Sequence, residues 1–521
     1  MTENKIIILW ADDELQSLKP QIMFLEKRDY EVIAVSNGHD AVTEIEKNGS
    51  IDVVLLDESM PGITGLETLK RIKNIRPNLP VIMITKNEQE DLMEEAIGSQ
   101  IADYLLKPVN PVQVLSALRK ITDSNRLIRE KTTMNYQQEF RHIFMSINDG
   151  SLDFEEWVGV YKKIIRWELE LDRSYNPDMS EIISAQKYEA NAEFAKFISK
   201  NYAKWFREGH DAPTLSHNLL KNKVLPHLNE NKSILLVLDN LRYDQWLIIQ
   251  PILEEMFRVE DEDYFYSILP SATQYSRNAI FAGLTPLEIS KKYPNKWLND
   301  HEEGGKNLHE DFLLGEQLKR VMRTPVKHEY FKVTNANLGK QLEDNILNMV
   351  KNNNLIVIVY NFIDMLSHAR TEMEVLKELA GDEKSYRDLT RTWFINSPLW
   401  TAIRKLSDQK LQLFVTTDHG TIRVNKPSRV LGDRETTTNL RYKVGRNLQY
   451  ERDDVLDFRN PAEIGLPSPN ISSTFIFGKN DVLFLYPNNY THFNNYYRNT
   501  FQHGGISLEE LIVPIIRLKS K

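Results

Sequence analysis

The sequence predicts an α/β chain made of two open α/β units joined by a small helical bundle. Three observations carry that expectation. Short Val-, Ile- and Leu-rich runs recur through residues 1–121, with amphipathic segments between them. From Asn110 to about Leu228 the strand runs stop, and apolar residues fall at helical spacing instead. After Asn231 the strand runs return and continue to the end of the sequence. The expected parts are therefore 1–121, 122–228 and 229–521.

In the first part the strand candidates are "KIIILW", "YEVIAVS", "DVVLLD", "VIMIT" and "DYLLK". Segments such as "GLETLKRIKNI", with Leu66, Leu69 and Ile72 on one helical face, separate them. Five such units suggest a doubly wound parallel sheet. Pro111 then opens a long polar-rich helix with no Gly or Pro until Gly150. "SLDFEEWVGVYKKIIRWELEL" places Leu152, Trp157, Val160, Ile164 and Trp167 at helical spacing, and a third helix covers roughly Ser180 to Phe206. In the last part the strand candidates are "SILLVLDN", "YFYSILPSAT", "LIVIVYNFID" and "LQLFVTTDHG". "STFIFGKNDVLFLYP" predicts a hairpin turning at "GKND".

Composition narrows the chemistry. The 521 residues are 41% hydrophobic and 27% charged, as in ordinary globular proteins, and include no cysteine. Disulfides, thiolate metal sites and cysteine nucleophiles are excluded, so any metal is held by Asp, Glu or His. "MTENKIIILW" lacks the features of a signal peptide, and no long apolar run predicts membrane insertion; the expected location is cytoplasmic. The net charge is −9, of which residues 1–121, with 13 Lys and Arg against 20 Asp and Glu, contribute −7. A near-neutral remainder without a basic recognition helix argues against a DNA-binding factor.

Five polar positions fall at strand ends in the first part. Asp12 and Asp13 follow the first strand, Asp57 ends the third, Thr85 the fourth and Lys107 the fifth. Three carboxylates gathered there call for a hard cation such as Mg²⁺. Lys107 and Thr85 suit a phosphoryl group on Asp57. Singly, each residue fits a solvated strand end. The ordered set "ADDE", "LLDESMPG", "MIT", "LKP" resembles a response-regulator receiver domain with a flavodoxin-like fold. That resemblance implies Asp57 as phosphoryl acceptor, Asp12, Asp13 and Asp57 around Mg²⁺, Thr85 and Tyr104 as a switch pair, and Lys107 against the acyl phosphate. It also implies a partner sensor histidine kinase, and a homodimer formed on phosphorylation. Trp10 departs from the small aliphatic residue usual before the acidic pair.

A second set runs through the last part: Asp239 after "SILLVL", Thr273 in "SILPSATQYS", Asp364 and His368 in "NFIDMLSHAR", Asp418 and His419 in "TTDHG", and His503 in "FQHGG". Asp364 and His368, four apart, share one face of a helix. Singly, these are caps, turn residues or surface histidines. Together, three carboxylates and three imidazoles can hold two Zn²⁺ ions with positions left open. Such a pair can clamp both oxygens of an in-line phosphoryl transfer and activate the weakly nucleophilic Thr273 hydroxyl.

The order of these residues resembles the alkaline phosphatase superfamily. Carried over, Asp239, Thr273, Asp418 and His419 form one metal site, and Asp364, His368 and His503 form the other. "LDNLRYDQW" and "HGGISLEELIVP" resemble the PglZ branch, and receiver, helical linker and PglZ domain together resemble the PorX-type response regulators. The resemblance implies control of type IX secretion, with secretion-machinery proteins or a sigma factor as partners. Arg242, Arg277 and Asn278 are the candidates for contacting substrate, and Tyr243, Trp246 and Tyr275 for stacking on a nucleobase. The expected activity is a zinc-dependent phosphodiesterase or phosphatase acting on nucleotide phosphodiesters or oligonucleotides. The rival is a catalytically silent, metal-stabilised docking module.

Overall fold

A computed structural model describes residues 5–28, 30–86, 101–173, 177–207, 209–228, 232–373, 381–433, 436–470 and 472–521. The chain divides into two compact units, residues 1–135 and 136–521. Among the described residues, no helix is long and apolar enough to cross a membrane.

The first unit is a five-stranded sheet of β1 (Ile6–Ala11), β2 (Tyr30–Val35), β3 (Val53–Asp57), β4 (Val81–Thr85) and β5 (Asp103–Leu106), in the order β2-β1-β3-β4-β5 and parallel throughout. This is the flavodoxin-like order. Alternate residues of β1 enter opposite cores: Ile8 and Trp10 pack with Val114 and Leu118, while Leu9 and Ala11 pack with Ala41 and Leu69. Burial on both faces explains why these strands read as unbroken apolar runs. The intervening helices are α1 (Lys19–Glu26), α2 (Gly38–Lys47) and α3 (Gly65–Ile75). Asn37 and Thr64 cap the last two, accepting from the Asp40 and Glu67 amides.

The helical stretch comprises α4 (Pro111–Asp149), α5 (Phe154–Arg173) and α6 (Pro177–Asn201). Trp157, Val160 and Ile164 of α5 and Phe194 and Ile198 of α6 are buried, and they share one hydrophobic core with the strands of the second sheet. The stretch is thus helical, as its spacing predicts, but it is not a free-standing bundle. Its apolar face is completed by the α/β layer it covers.

The second unit has a six-stranded mixed sheet of β6 (Lys232–Leu238), β7 (Phe257–Tyr266), β8 (His328–Val333), β9 (Leu355–Tyr360), β10 (Leu411–Thr416) and β11 (Ile512–Ser520). Its order is β7-β11-β10-β6-β9-β8. Strands β8, β9, β6 and β10 are parallel, and β11 runs antiparallel to both β10 and β7. The carboxyl ends of β6, β7, β9 and β10 therefore share one edge with the start of β11, where the register pairs Ile512 with Tyr266.

The expected hairpin at "GKND" does not form. Thr474–Gly478 pairs with Tyr442–Gly445 and Val455–Phe458, whereas Val482–Leu485 pairs with Lys426–Arg429 in another sheet. The turn is present, but the Leu440–Arg441 backbone occupies the space between its arms. Gly478 N–H donates to the Arg441 carbonyl and Phe484 N–H to the Leu440 carbonyl. A segment inserted between two arms cannot be seen from the arms' own sequence.

Candidate active site

In the first unit, Asp12, Asp57, Thr85 and Lys107 gather at the carboxyl ends of neighbouring parallel strands, the ligand-binding edge of such sheets. Lys107 Nζ lies 2.8 Å from Asp12 Oδ2 and 2.8 Å from Asp57 Oδ2. Asp12, Asp13 and Asp57 each bring a carboxylate oxygen within 4.8 Å of the others. Asp57 Oδ1 is buried without a hydrogen-bond partner among the described residues. An orphaned oxygen among three carboxylates fits a hard, oxygen-seeking cation, which these residues would hold. Burial raises the Asp57 pKa, with the Lys107 ammonium opposing it. Burial also works against charge on Lys107, but Asp12 and Asp57 outweigh it and raise its pKa. Thr85 is half-buried at the end of β4, and Tyr104 of β5 is 41% exposed.

In the second unit, β6 delivers Asp239, β9 runs into α8 (Phe362–Glu372) with Asp364 and His368, and β10 delivers Asp418 and His419. Strand β7 leads through Ser267–Ala272 to Thr273, the first residue of α7 (Thr273–Ala282). Asp239, Asp418 and His419 place ligand atoms within 4.8 Å of one another, and so do Asp364, His368 and His503. The two groups adjoin: the His419 and His503 rings stack with centroids 4.2 Å apart. Thr273 Oγ1 lies 3.1 Å from His419 Nε2 and 3.4 Å from Asp239 Oδ1.

Backbone carbonyls set the histidine tautomers. His419 Nδ1 is 3.2 Å from its neighbour Gly420 O, and His503 Nδ1 is 3.2 Å from Ser271 O. A carbonyl only accepts, so Nδ1 carries the proton and Nε2 presents its lone pair to the site, the usual arrangement behind metal-binding histidines. Burial lowers both imidazoles to about 4, which leaves them neutral near pH 7. Gly420 is required by space: a Cβ there would lie 2.1 Å from the Glu509 carbonyl oxygen.

Asn240 ties the two groups together. Its φ of 68° is left-handed, a conformation that Asn tolerates better than most residues. Its N–H donates to Asp418 Oδ1 at 3.3 Å, and Nδ2 lies 3.4 Å from Asp364 Oδ1. The charges are unevenly answered. Burial would raise Asp239, but Arg277, with Nη1 2.6 Å from Oδ2, and His419 hold its pKa below the usual carboxylate range. Burial and then the Asp239 charge push Asp418 well above that range, and raise Asp364. Asp418 Oδ2 is buried without a hydrogen-bond partner among the described residues. Three crowded carboxylates, one orphaned oxygen and neutral imidazoles offering Nε2 form a donor set that fits divalent cations.

The residues expected to contact substrate are engaged within the protein. Arg242 is buried and bound to Asp244 and Glu383. Arg277 is buried between Asp239 and Glu310, and Asn278 donates to the Gln274 and Lys306 carbonyls. Tyr243, Trp246 and Tyr275 are core side chains, at most 2% exposed. These placements correct the expectation that the six reach a ligand: each has its polar group engaged internally or its ring packed. The open cleft of about 860 Å³ beside Thr273 is instead lined by Gln274, Lys306, Asn307, Thr437 and Tyr442, together with His368 and His503. Asn307 Nδ2 donates to the Thr273 carbonyl at 3.1 Å, and Lys332 holds the Asn307 carbonyl. Nothing in the local pattern of "EEGGKN" marks it as part of this cleft. Asn240 was detectable, since an Asn at the end of an apolar strand signals a left-handed turn.

Three family models match successive parts of the chain. A receiver-domain model of response regulators matches residues 8–119, one described as the PorX response regulator linker domain matches 126–206, and one described as the BREX system PglZ alkaline phosphatase-like domain matches 219–518. Sensory transduction protein RegX3 of Mycolicibacterium smegmatis is 30% identical over 116 residues, 22% of this chain and 49% of RegX3. Transcriptional regulatory protein ZraR of Klebsiella oxytoca is 29% identical over 140 residues, 27% of this chain and 31% of ZraR. The chain thus spans less than half the length of either relative. Among solved structures, a CheY-like receiver from Methanospirillum hungatei JF-1 is 26% identical, with 23% of this chain and 95% of that one covered at a TM-score of 0.22. A receiver from Clostridium thermocellum is 31% identical, with 23% and 98% covered at a TM-score of 0.23.

Proposed function

The chain belongs to the PglZ alkaline phosphatase-like family and has the PorX-type architecture of receiver, linker and PglZ domain; from that premise we propose that it is a response regulator whose output is metal-dependent hydrolysis of phosphate esters. The observation that carries this reading is Thr273 Oγ1, 3.1 Å from His419 Nε2 and beside two adjoining groups of three metal-ligand side chains.

In this reading Asp239, Asp418 and His419 hold one Zn²⁺, and Asp364, His368 and His503 hold the other. Bound cations supply the positive charge that lowers the pKa of a hydroxyl and offsets charge on phosphoryl oxygens. The chain's own residues do the rest. Arg277 fixes Asp239 so that Oδ1 faces Thr273. Asn307 anchors the Thr273 backbone at the start of α7, where the helix N-terminus favours an anionic group. Thr273 Oγ1 attacks phosphorus, the ester oxygen leaves on the opposite side, and water then cleaves the phosphothreonine. A cleft of about 860 Å³, lined by Asp300 as well as Lys306, leaves room for groups beyond the reacting phosphate, which supports a phosphodiester or nucleotide substrate. Residues 1–121, 122–228 and 229–521 act as sensor, connector and effector. Asp57 takes its phosphoryl group from a sensor histidine kinase, with Asp12 and Asp13 at Mg²⁺ and Lys107, Thr85 and Tyr104 relaying the change to a homodimer. The role in the cell is cytoplasmic control of type IX secretion through secretion-machinery proteins or a sigma factor.

Hydrolysis of bis-p-nitrophenyl phosphate by zinc-loaded chain tests the reading. Thr273→Ala is expected to lower turnover at least about a hundredfold while keeping its zinc. Stoichiometric zinc with no turnover of any ester by the parent chain would leave the silent docking module in its place.

A further inference from the structure

The helical stretch sends charged side chains into the foundations of the site. Arg387, on α9 (Glu383–Asn396), is 2% exposed. Its Nη1 lies 2.9 Å from Glu168 Oε1 on α5 and 3.1 Å from Asp244 Oδ2, and its Nη2 binds Asp172 of α5. Asp244 in turn binds Arg242, with Nε to Oδ1 at 2.9 Å, and Arg242 Nη2 reaches Glu383 at 2.6 Å. From α6, Lys187 bridges Glu168 at 3.2 Å and Glu509 at 3.1 Å. Asn191 of α6 donates to Glu509 Oε2 at 3.0 Å and accepts from the Leu508 amide at 2.7 Å.

Arg242, Lys187 and Asn191 carry this network onto segments that hold metal-ligand side chains. Arg242 sits at the turn that follows Asp239. Glu509 presses its carbonyl against Gly420, the residue after His419, and a Cβ on Gly420 would also meet Arg242 Cγ at 3.3 Å. Leu508 and Glu509 close the loop that begins at His503. Interior ion pairs this well connected are costly to leave half-made, so the helices and the three segments are constrained to move together.

We propose that Glu168, Arg387, Lys187 and Asn191 are positioning residues: through them the helical stretch sets the spacing of the metal-ligand segments. This rests on the metal-dependent reading above. The network makes the helices a component of the site, so any displacement of α5 or α6 alters cation affinity and turnover together.

The test measures the zinc dissociation constant of the full chain by chelator competition, alongside circular dichroism and kcat and KM for bis-p-nitrophenyl phosphate. Glu168→Gln and Arg387→Lys remove a charge match and a guanidinium fork with little change in size. Each is expected to weaken zinc binding about tenfold, in the range seen for supporting shells of metal sites, and to lower kcat more than it raises KM. Lys162→Gln is the control. Lys162 also joins α5 to the sheet, 2.8 Å from Glu262 of β7, and among the described residues it pairs with no metal-ligand segment. It is expected to lower thermal stability and leave zinc affinity unchanged. Folded Glu168→Gln and Arg387→Lys chains with wild-type zinc affinity overturn the proposal. If either fails to fold, Asn191→Ser, which removes only the Leu508 and Glu509 contacts, decides by the same criterion. A parent chain that binds no zinc overturns the metal-dependent reading as well, whereas a zinc-binding parent with unaffected variants overturns only the positioning role.

Discussion

In the receiver, Lys107 meets Asp12 and Asp57 at 2.8 Å each, and Asp13 faces solvent. In the effector, Arg277 binds Asp239 at 2.6 Å but stands 3.9 Å from Asp418 Oδ2, which is buried with no hydrogen-bond partner among the described residues, while Asn240, His368 and His503 lie 3.4, 3.6 and 3.7 Å from Asp364 Oδ1. Both sites gather three aspartates at the carboxyl ends of parallel strands. The receiver supplies its own counter-charge and stays partly wet, which suits a cation that comes and goes with each phosphorylation cycle. The effector answers less of its charge from within and buries it more deeply. With the cations proposed above, its folded state would be tied to them more tightly.

The largest consequence concerns metal removal. Chelation is expected to abolish ester hydrolysis and to lower the melting transition of residues 136–521. A ligand held at about a thousand times its dissociation constant contributes about 4 kcal/mol, so the loss should be unmistakable in calorimetry. The receiver transition should respond weakly to chelation and recover with millimolar Mg²⁺. Equal responses from both transitions would break the comparison.

A second contrast lies between two lysines. Lys107 is kept charged by its carboxylates, whereas Lys443 is buried with no carboxylate partner among the described residues and only the Tyr486 ring, 4.4 Å from its ammonium. Burial pulls Lys443 down to about 7 from 10.5. The folded chain therefore gives up that proton before the unfolded chain does, and the stability withheld by Lys443 returns as pH rises from about 7 to 10.5. Lys443→Met is expected to stabilise the effector at pH 7 and to remove a slope of order 1 kcal/mol per pH unit across that window. Melting curves from pH 7 to 10 read both effects.

Much of this was legible because the chemistry sits at strand ends. Asp239, Asp418 and His419 stand where apolar runs stop, and Asp364 and His368 share a helical face, so pattern alone could nominate them. What brings them together was not legible. Asn240 touches both ligand groups through a backbone sign change, and His503 owes its tautomer to the Ser271 carbonyl, far away in sequence. Arg242 and Arg277 were misjudged for a related reason: proximity in sequence to Asp239 and Thr273 says nothing about which carboxylates already occupy a guanidinium. Likewise, "GKND" has the turn chemistry of a hairpin, but the Leu440–Arg441 backbone between its arms comes from a distant segment.

The finest test of the comparison is a pair of matched substitutions in the metal-free chain. Asp418→Asn retains an Oδ1 to accept from the Asn240 and His419 amides, and it removes a carboxylate that burial and Asp239 push toward protonation. Since the unfolded chain ionises Asp418 freely at pH 7, the native state is penalised there, and Asp418→Asn is expected to stabilise the metal-free effector by about 1–2 kcal/mol. Asp12→Asn does the reverse. It strips Lys107 of one of its two partners in a buried setting and should destabilise the metal-free receiver by about 1–2 kcal/mol. Asp13→Asn, at an exposed carboxylate, should change metal-free stability by less than about 0.5 kcal/mol. All three should weaken cation binding at their own site, so denaturant melts with and without metal separate the two effects. Opposite signs for Asp418→Asn and Asp12→Asn without metal are what unequal charge balance requires; matching signs would mean that the two acidic clusters are held together in the same way.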